Sequence, residues 1–335
     1  MRTRKRKSSC SVTSDLNFQK KIGKTRAKIN QYEIGEKLGE GAYGVVHKCT
    51  DKSKDPPVDY AVKIISKANY KGPPKKEEVA AKEESKASKA ELEIAQEMDC
   101  LLKLIHKNII SLVEIIDDPN DKRVWLIMNL CSGGTLKQKL QETGHGLDEV
   151  KVKEYFQSLL SAVHFCLKVH NMSHRDIKPE NIMLDENGEV FLCDFGCSEF
   201  FNEIDEEMSK ATKGTPFFMA PEMFIGDKTK KVIKGPPIDI WAAGVTLFNL
   251  LTNKYPFFDK NQFALPNIVK NDEPKLELLG EGREELKSLF RKIFEKDPDK
   301  RIDIYELLDD PWVNDNGLNL VDLDMSNSSV TGSIG

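Results

Sequence analysis

His174-Arg175-Asp176-Ile177-Lys178-Pro179-Glu180-Asn181, followed thirteen residues after Asn181 by Asp194-Phe195-Gly196, decides the reading of this 335-residue chain. At about one chance in twenty per fixed residue, such an ordered set does not arise from composition. Upstream, Gly39-Glu40-Gly41-Ala42-Tyr43-Gly44 is weak evidence alone, because the same glycine spacing opens a helix in dinucleotide-binding folds. Here Val45 and Val46 follow, so the glycines cap a hairpin, where backbone amides can close over phosphates. Lys63 comes nineteen residues after Gly44, on the short apolar run 60–65. A lone lysine in a strand is ordinarily a solvated edge charge, but after such a hairpin it is placed to grip phosphates. Downstream stand Gly214-Thr215 and Ala220-Pro221-Glu222.

With these motifs in hand, the chain resembles a eukaryotic Ser/Thr protein kinase over residues 32–313. The resemblance implies an α+β, bilobal protein kinase fold. A small β-rich N-lobe (32–130), with a five-stranded sheet and one major helix, would precede a larger, mainly α-helical C-lobe (131–313). It also implies transfer of the γ-phosphate of ATP to a protein hydroxyl, with Mg²⁺ as the metal. Phosphoryl transfer needs positioning and charge neutralisation more than covalent help. Asp176 would orient the substrate hydroxyl and accept its proton, Lys178 would neutralise the transferring phosphate, and Asn181 and Asp194 would hold Mg²⁺. Lys63 would pair with Glu97, preferred over Glu91 and Glu93 because it flanks an apolar stripe and is suitably spaced from His106-Lys107-Asn108-Ile109. Leu38, Gly39, Gly41 and Gly44 would cover the nucleotide. Val46, Ala61 and Met183 would sandwich the adenine, with Met128 as gatekeeper and Asn129 to Cys131 as hinge backbone. Asp239 would brace the catalytic loop, and Arg301 would pair with Glu222. Asp-x-Lys-x-x-Asn together with Thr215 resembles the Ser/Thr branch, since tyrosine kinases carry another pattern in place of the lysine.

Within that branch, Leu112 to Asn120, Gly214 to Glu222 and Trp241 to Leu247 are similar to the calcium/calmodulin-dependent protein kinase kinases, which activate other kinases. The chain departs from that group in its Lys/Glu/Ala-rich insertion 67–93, and in Glu180, which would favour a basic residue upstream of the target hydroxyl. No autoinhibitory, calmodulin-binding segment is expected after the kinase domain. Leu286, Leu289, Phe290, Ile293 and Phe294 mimic a calmodulin target, but the pattern is better read as a core helix.

Arg175 before the catalytic aspartate implies an anion in the activation loop. Phosphorylated Ser209 or Thr212 would supply it. Alternatively, Glu203, Asp205, Glu206 and Glu207 supply fixed charge.

The rest of the chain frames this core. The basic residues of 1–31 and the Asn/Ser/Gly-rich 314–335 read as disordered tails. Helical periodicity marks an amphipathic run through Ile94, Met98, Leu101, Leu102 and Ile105, and then segments 150–169, 238–251, 284–294 and 302–308. A formal net charge of −4 argues against a nucleic-acid binder. Seven scattered cysteines read as reduced thiols, and no stretch reaches membrane-spanning length. The expected compartment is cytoplasmic, with nuclear access as the alternative suggested by the basic tail, and the expected partners are protein substrates, other kinases among them. A pseudokinase scaffold is the competing class, and the presence of Lys63, Asp176, Asn181 and Asp194 argues against it.

Overall fold

The computed structural model describes residues 10–14, 17–19, 27–41, 44–66, 98, 100–118, 120–201, 204, 207–209, 214–224 and 232–314. The chain divides into two compact units, the first built from residues 1–105 and 110–132, the second from 106–109 and 133–335.

The first unit is a single sheet. Its strands are β1 (Ser11–Thr13), β2 (Phe18–Gln19), β3 (Lys28–Ile29), β4 (Tyr32–Gly41), β5 (Gly44–Asp51), β6 (Val58–Ser66), β7 (Leu112–Ile116) and β8 (Arg123–Asn129). They are ordered β1-β7-β8-β6-β5-β4-β3-β2. The sheet pairs antiparallel from β7 through β2, and β1 joins β7 in parallel. Side chains alternate across a strand, so one face collects Ile29, Tyr32, Cys49, Tyr60, Val62, Trp125 and Ile127 into a buried core. Burial pushes the Cys49 thiol up to about 12.

The expected five-stranded sheet is therefore extended at both edges, and by residues expected to be disordered. The cause is polar. Glu114 on β7 is 7% exposed, and it accepts hydrogen bonds from Tyr32 Oη (2.7 Å), Thr13 Oγ1 (2.5 Å) and Gln31 Nε2 (3.1 Å). Burial and this carboxylate push the Tyr32 phenol up. The Asp117 amide donates to Thr13 O at 2.9 Å and extends the edge pairing. A carboxylate buried without donors would be costly, so β1 roofs a group that the sheet must satisfy. Thr13→Val is expected to destabilise the unit by about 1–2 kcal/mol, read as a lower urea midpoint with an unchanged slope.

Met98 and Cys100–Lys103 are helical, with Met98 and Leu101 buried. Ile105, expected on the core face, lies beyond the helix and is 53% exposed. Ile94 and the insertion 67–93 lie outside the described residues, as do 315–335.

The second unit contains helices α1 (Leu136–Thr143), α2 (Glu149–His164), α3 (Pro221–Phe224), α4 (Gly235–Thr252), α5 (Leu265–Asn271), α6 (Glu284–Ile293) and α7 (Ile304–Leu308). Its short strands are β9 (Gly134–Thr135), β10 (Met172–Ser173), β11 (Ile182–Leu184), β12 (Val190–Leu192), β13 (Glu199–Phe200), β14 (Glu207–Ser209) and β15 (Val232–Lys234). Helix starts follow capping chemistry: Thr135 and Gln138 form a capping box on α1, and Asp303 and Glu306 form one on α7. Pro236 and Pro237 occupy the first turn of α4, where a missing N–H costs nothing. This places the start of α4 three residues before the expected 238. Nearly every residue of α4 is buried, as expected of a helix apolar on all sides. Around it Trp241, Phe248, Phe257, Phe290 and Phe294 form edge-to-face and stacked pairs. The stripe that mimics a calmodulin target, Leu286, Leu289, Phe290, Ile293 and Phe294, is at most 3% exposed and belongs to this core. Among the described residues no helix is long and apolar enough to cross a membrane.

Candidate active site

The catalytic loop hangs from α4. Asp239, in the first turns of that helix, is fully buried and accepts the His174 amide at 2.7 Å and the Arg175 amide at 2.8 Å. Desolvation pushes its carboxyl pKa up, and those two amides oppose the shift. The loop needs such an acceptor because Arg175 sits in the left-handed region, at φ 68°, where a non-glycine residue is strained. His174 Nε2 lies 3.0 Å from Cys193 O, and its ring meets Phe195 edge-on at 4.8 Å. The loop and the Asp194-Phe195-Gly196 turn are thereby tied together.

Asp176 gathers the reactive groups. Its Oδ1 accepts from Thr215 Oγ1 (2.9 Å) and the Thr215 amide (3.1 Å), and its Oδ2 from Lys178 Nζ (2.6 Å) and Asn181 Nδ2 (2.9 Å). Lys178 Nζ also donates to Thr215 Oγ1 at 2.7 Å. A carboxylate held by four donors cannot rotate freely, which suits a group that must orient a hydroxyl. Gly214 brings Thr215 in at φ 112°, and a Cβ there would stand 2.7 Å from Arg175 O. Gly214→Ala is expected to cost about 1–3 kcal/mol in strain. It should lower kcat at least about tenfold with little change in the KM for ATP, measured by initial rates.

The residues proposed for Mg²⁺ have suitable chemistry. Asn181 Nδ2 donates to both Asp176 O (2.8 Å) and Asp176 Oδ2 (2.9 Å), so Oδ1 is the atom that would meet a metal. Asp194 is exposed, at φ 61°. The β11–β12 register and the bond from Cys193 N to Asn181 O (2.9 Å) hold the two residues at one end of a hairpin. Two hard oxygen donors, with phosphate and water completing the shell, are what Mg²⁺ takes.

In the first unit, strand register sorts the residues expected to face the nucleotide. Val46, Lys63 and Leu126 form one cross-strand row, and Ala61 and Met128 are partners in the adjacent row. By alternation these rows lie on the sheet face opposite the Tyr60–Val62–Trp125 core. Gly41 pairs with Gly44 to close the hairpin. A Cβ on Gly44 would stand 2.1 Å from Ile64 O, so that glycine is a packing necessity. At Gly39 a Cβ would meet nothing within 4 Å. Leu38 is 47% exposed, and Asn129 donates its amide to Ser111 O at 3.1 Å. Cys131 is buried. In the second unit Met183 pairs with Phe191 and Thr135. Glu97 and Thr212 lie outside the described residues, as do Glu203, Asp205 and Glu206. Ser209 pairs with Val232 in the β14–β15 ladder.

Arg301 and Glu222 meet. The Arg301 guanidinium has no solvent exposure and reaches Glu222 Oε1 at 2.7 Å and Oε2 at 3.0 Å. Glu199, on β13 and marked by no sequence motif, forms an ion pair with Arg175.

Within the second unit, a loop that sets carboxylate, lysine and asparagine around one threonine has the chemistry to orient a hydroxyl. A family model described as "Protein kinase domain" matches residues 32–313. A calcium/calmodulin-dependent protein kinase kinase of Caenorhabditis elegans is 32% identical over 326 residues, which are 92% of this chain and 58% of that protein. The serine/threonine-protein kinase ppk34 of Schizosaccharomyces pombe is 31% identical over 312 residues, 86% of this chain and 84% of that protein. The kinase ssp1 of the same yeast is 32% identical, and 43% of its length is covered. The chain thus spans roughly half the length of the first and third of these relatives. It belongs to the protein kinase family, and its fold is the bilobal protein kinase fold.

Proposed function

We propose that this chain is an active Ser/Thr protein kinase that transfers the γ-phosphate of Mg-ATP to protein Ser/Thr hydroxyls. The observation that carries the reading is the Asp176 constellation, with Lys178, Asn181 and Thr215 within 3.1 Å of one carboxylate. Asp176 orients the hydroxyl and takes its proton. Lys178, donating to both Asp176 and Thr215, is positioned to meet the phosphoryl charge. Bound Mg²⁺ would neutralise the phosphates, held by Asn181 and Asp194.

The finer proposal is that its substrates include the activation loops of other kinases. It is supported by the similarity to kinase kinases and by that relative's printed name. The surface beside Thr215 suits a segment with one apolar and one basic residue. Phe217 stacks on Tyr255 at 4.7 Å and on Phe258 at 6.3 Å, and Phe258 is 44% exposed. Burial, with the Glu180 carboxylate adding to it, pushes the Tyr255 phenol up. A cytoplasmic location, with nuclear access through the basic tail, accompanies this proposal.

The test is transfer of labelled γ-phosphate to a panel of kinase activation-loop peptides and basic peptides. Mg²⁺-dependent labelling with preference for activation-loop peptides is expected. Labelling of basic peptides alone would remove the kinase-kinase part. ATP binding without transfer to any peptide would favour a pseudokinase.

A further inference from the structure

Arg175 immediately precedes Asp176, and its side chain has no solvent exposure, while that of Glu199 keeps 20%. Burial pulls the guanidinium pKa below its usual value, and Glu199 is the first of the charges that oppose this. A guanidinium stripped of water needs an anion beside it or it leaves the site.

The carboxylate is on a fixed support. β13 pairs antiparallel with β10, setting Glu199 against Ser173, the residue that leads into the catalytic loop. Ser198 Oγ donates to His174 O at 3.4 Å, and the Phe201 amide donates to Asn171 O at 2.8 Å. Glu199 therefore sits on a strand registered to the loop it would position. Two carboxylates act on one residue: Asp239 holds the Arg175 main chain, and Glu199 holds its side chain. Together they keep the left-handed turn that presents Asp176.

We propose that Glu199 is the resident anion for Arg175, that it positions Asp176 through Arg175, and that phosphotransfer by this chain does not require phosphorylation of its activation segment. The proposal rests on the kinase reading above. Glu199 touches no substrate; it is a positioning residue.

The experiment compares untreated protein, protein stripped of phosphate by a phosphatase and verified by intact mass, and the variants Glu199→Gln and Glu199→Asp. Initial rates of Mg-ATP-dependent peptide labelling are measured for each. The stripped wild type is expected to keep at least about half its kcat. Glu199→Gln should lose about 10- to 100-fold in kcat, the loss appropriate to one charged hydrogen bond, with its KM for ATP within about twofold. Glu199→Asp should recover part of the loss, because the charge returns at shorter reach. If Glu199→Gln does not fold, the wild-type comparison decides alone. Activity in the untreated protein that disappears on stripping, or a Glu199→Gln variant with full kcat, would overturn the assignment. No labelling by the untreated protein would instead sink the kinase reading itself.

Discussion

Asp176→Asn is expected to lower kcat by about 10²- to 10⁴-fold, the usual share of a positioned general base, while ATP binding survives. The substitution keeps the shape of the side chain but replaces an acceptor oxygen with a donor. Lys178, Asn181 and Thr215 all donate to Asp176, so a side chain with one oxygen cannot satisfy all of them. Lys178 would keep Thr215 as a partner, which limits the structural damage to the loop. The amides of His174 and Arg175 on Asp239 are untouched. The measurement is kcat and KM for ATP from initial rates, beside nucleotide-dependent thermal stabilisation of the variant. A loss confined to kcat places Asp176 in the reacting geometry. A loss shared with ATP binding would mean that the loop had collapsed, and would remove the constellation as evidence for catalysis.

Much of this site was legible because its parts are close in sequence. Asp176, Lys178 and Asn181 occupy six consecutive positions, and the hairpin from Asn181 to Cys193 returns Asp194 to the same end. Asp239 and Arg301 lie far along the chain and were reached through resemblance, because no local pattern shows which helix carries the loop. Glu199 escaped for a different reason. Its pairing with Arg175 depends on β13 lying beside β10, and strands of two residues have no periodicity to read. The acidic run that the sequence offers as the alternative, Glu203, Asp205 and Glu206, lies outside the described residues. The N-terminal strands escaped because Ser11-Val12-Thr13 contains one apolar residue, and Val12 is 61% exposed. Their place in the sheet comes from edge hydrogen bonds and from the buried Glu114, features that a hydropathy pattern does not encode. Apolar spacing marks the helix bearing Met98 but carries its end too far. The spacing runs to Ile105, whereas Leu104 turns inward and His106 begins a polar anchor, its Nε2 3.3 Å from Ser161 Oγ.

Glu222→Ala should be the most destabilising single change at the periphery of the site, at about 3–5 kcal/mol. The figure follows from what is left behind. The Arg301 guanidinium is fully buried and makes two bonds to Glu222, with further donations to Pro237 O at 2.7 Å and Glu295 O at 3.0 Å. It also lies 4.9 Å from the Trp241 ring centroid. The two carbonyls and the ring cannot neutralise a full charge, so removing the carboxylate leaves a buried cation that must be rehydrated. Glu222→Ala/Arg301→Met removes both partners and fills the volume with an unbranched apolar chain, and it should recover much of the loss, as replacement of buried pairs often does. Chemical unfolding of the two single variants and the double variant measures the coupling. Recovery in the double variant would show that the pair secures α3 mainly against the cost of an orphan charge. A double variant as unstable as Glu222→Ala would mean instead that the two bonds themselves hold the Ala220-Pro221-Glu222 turn in place.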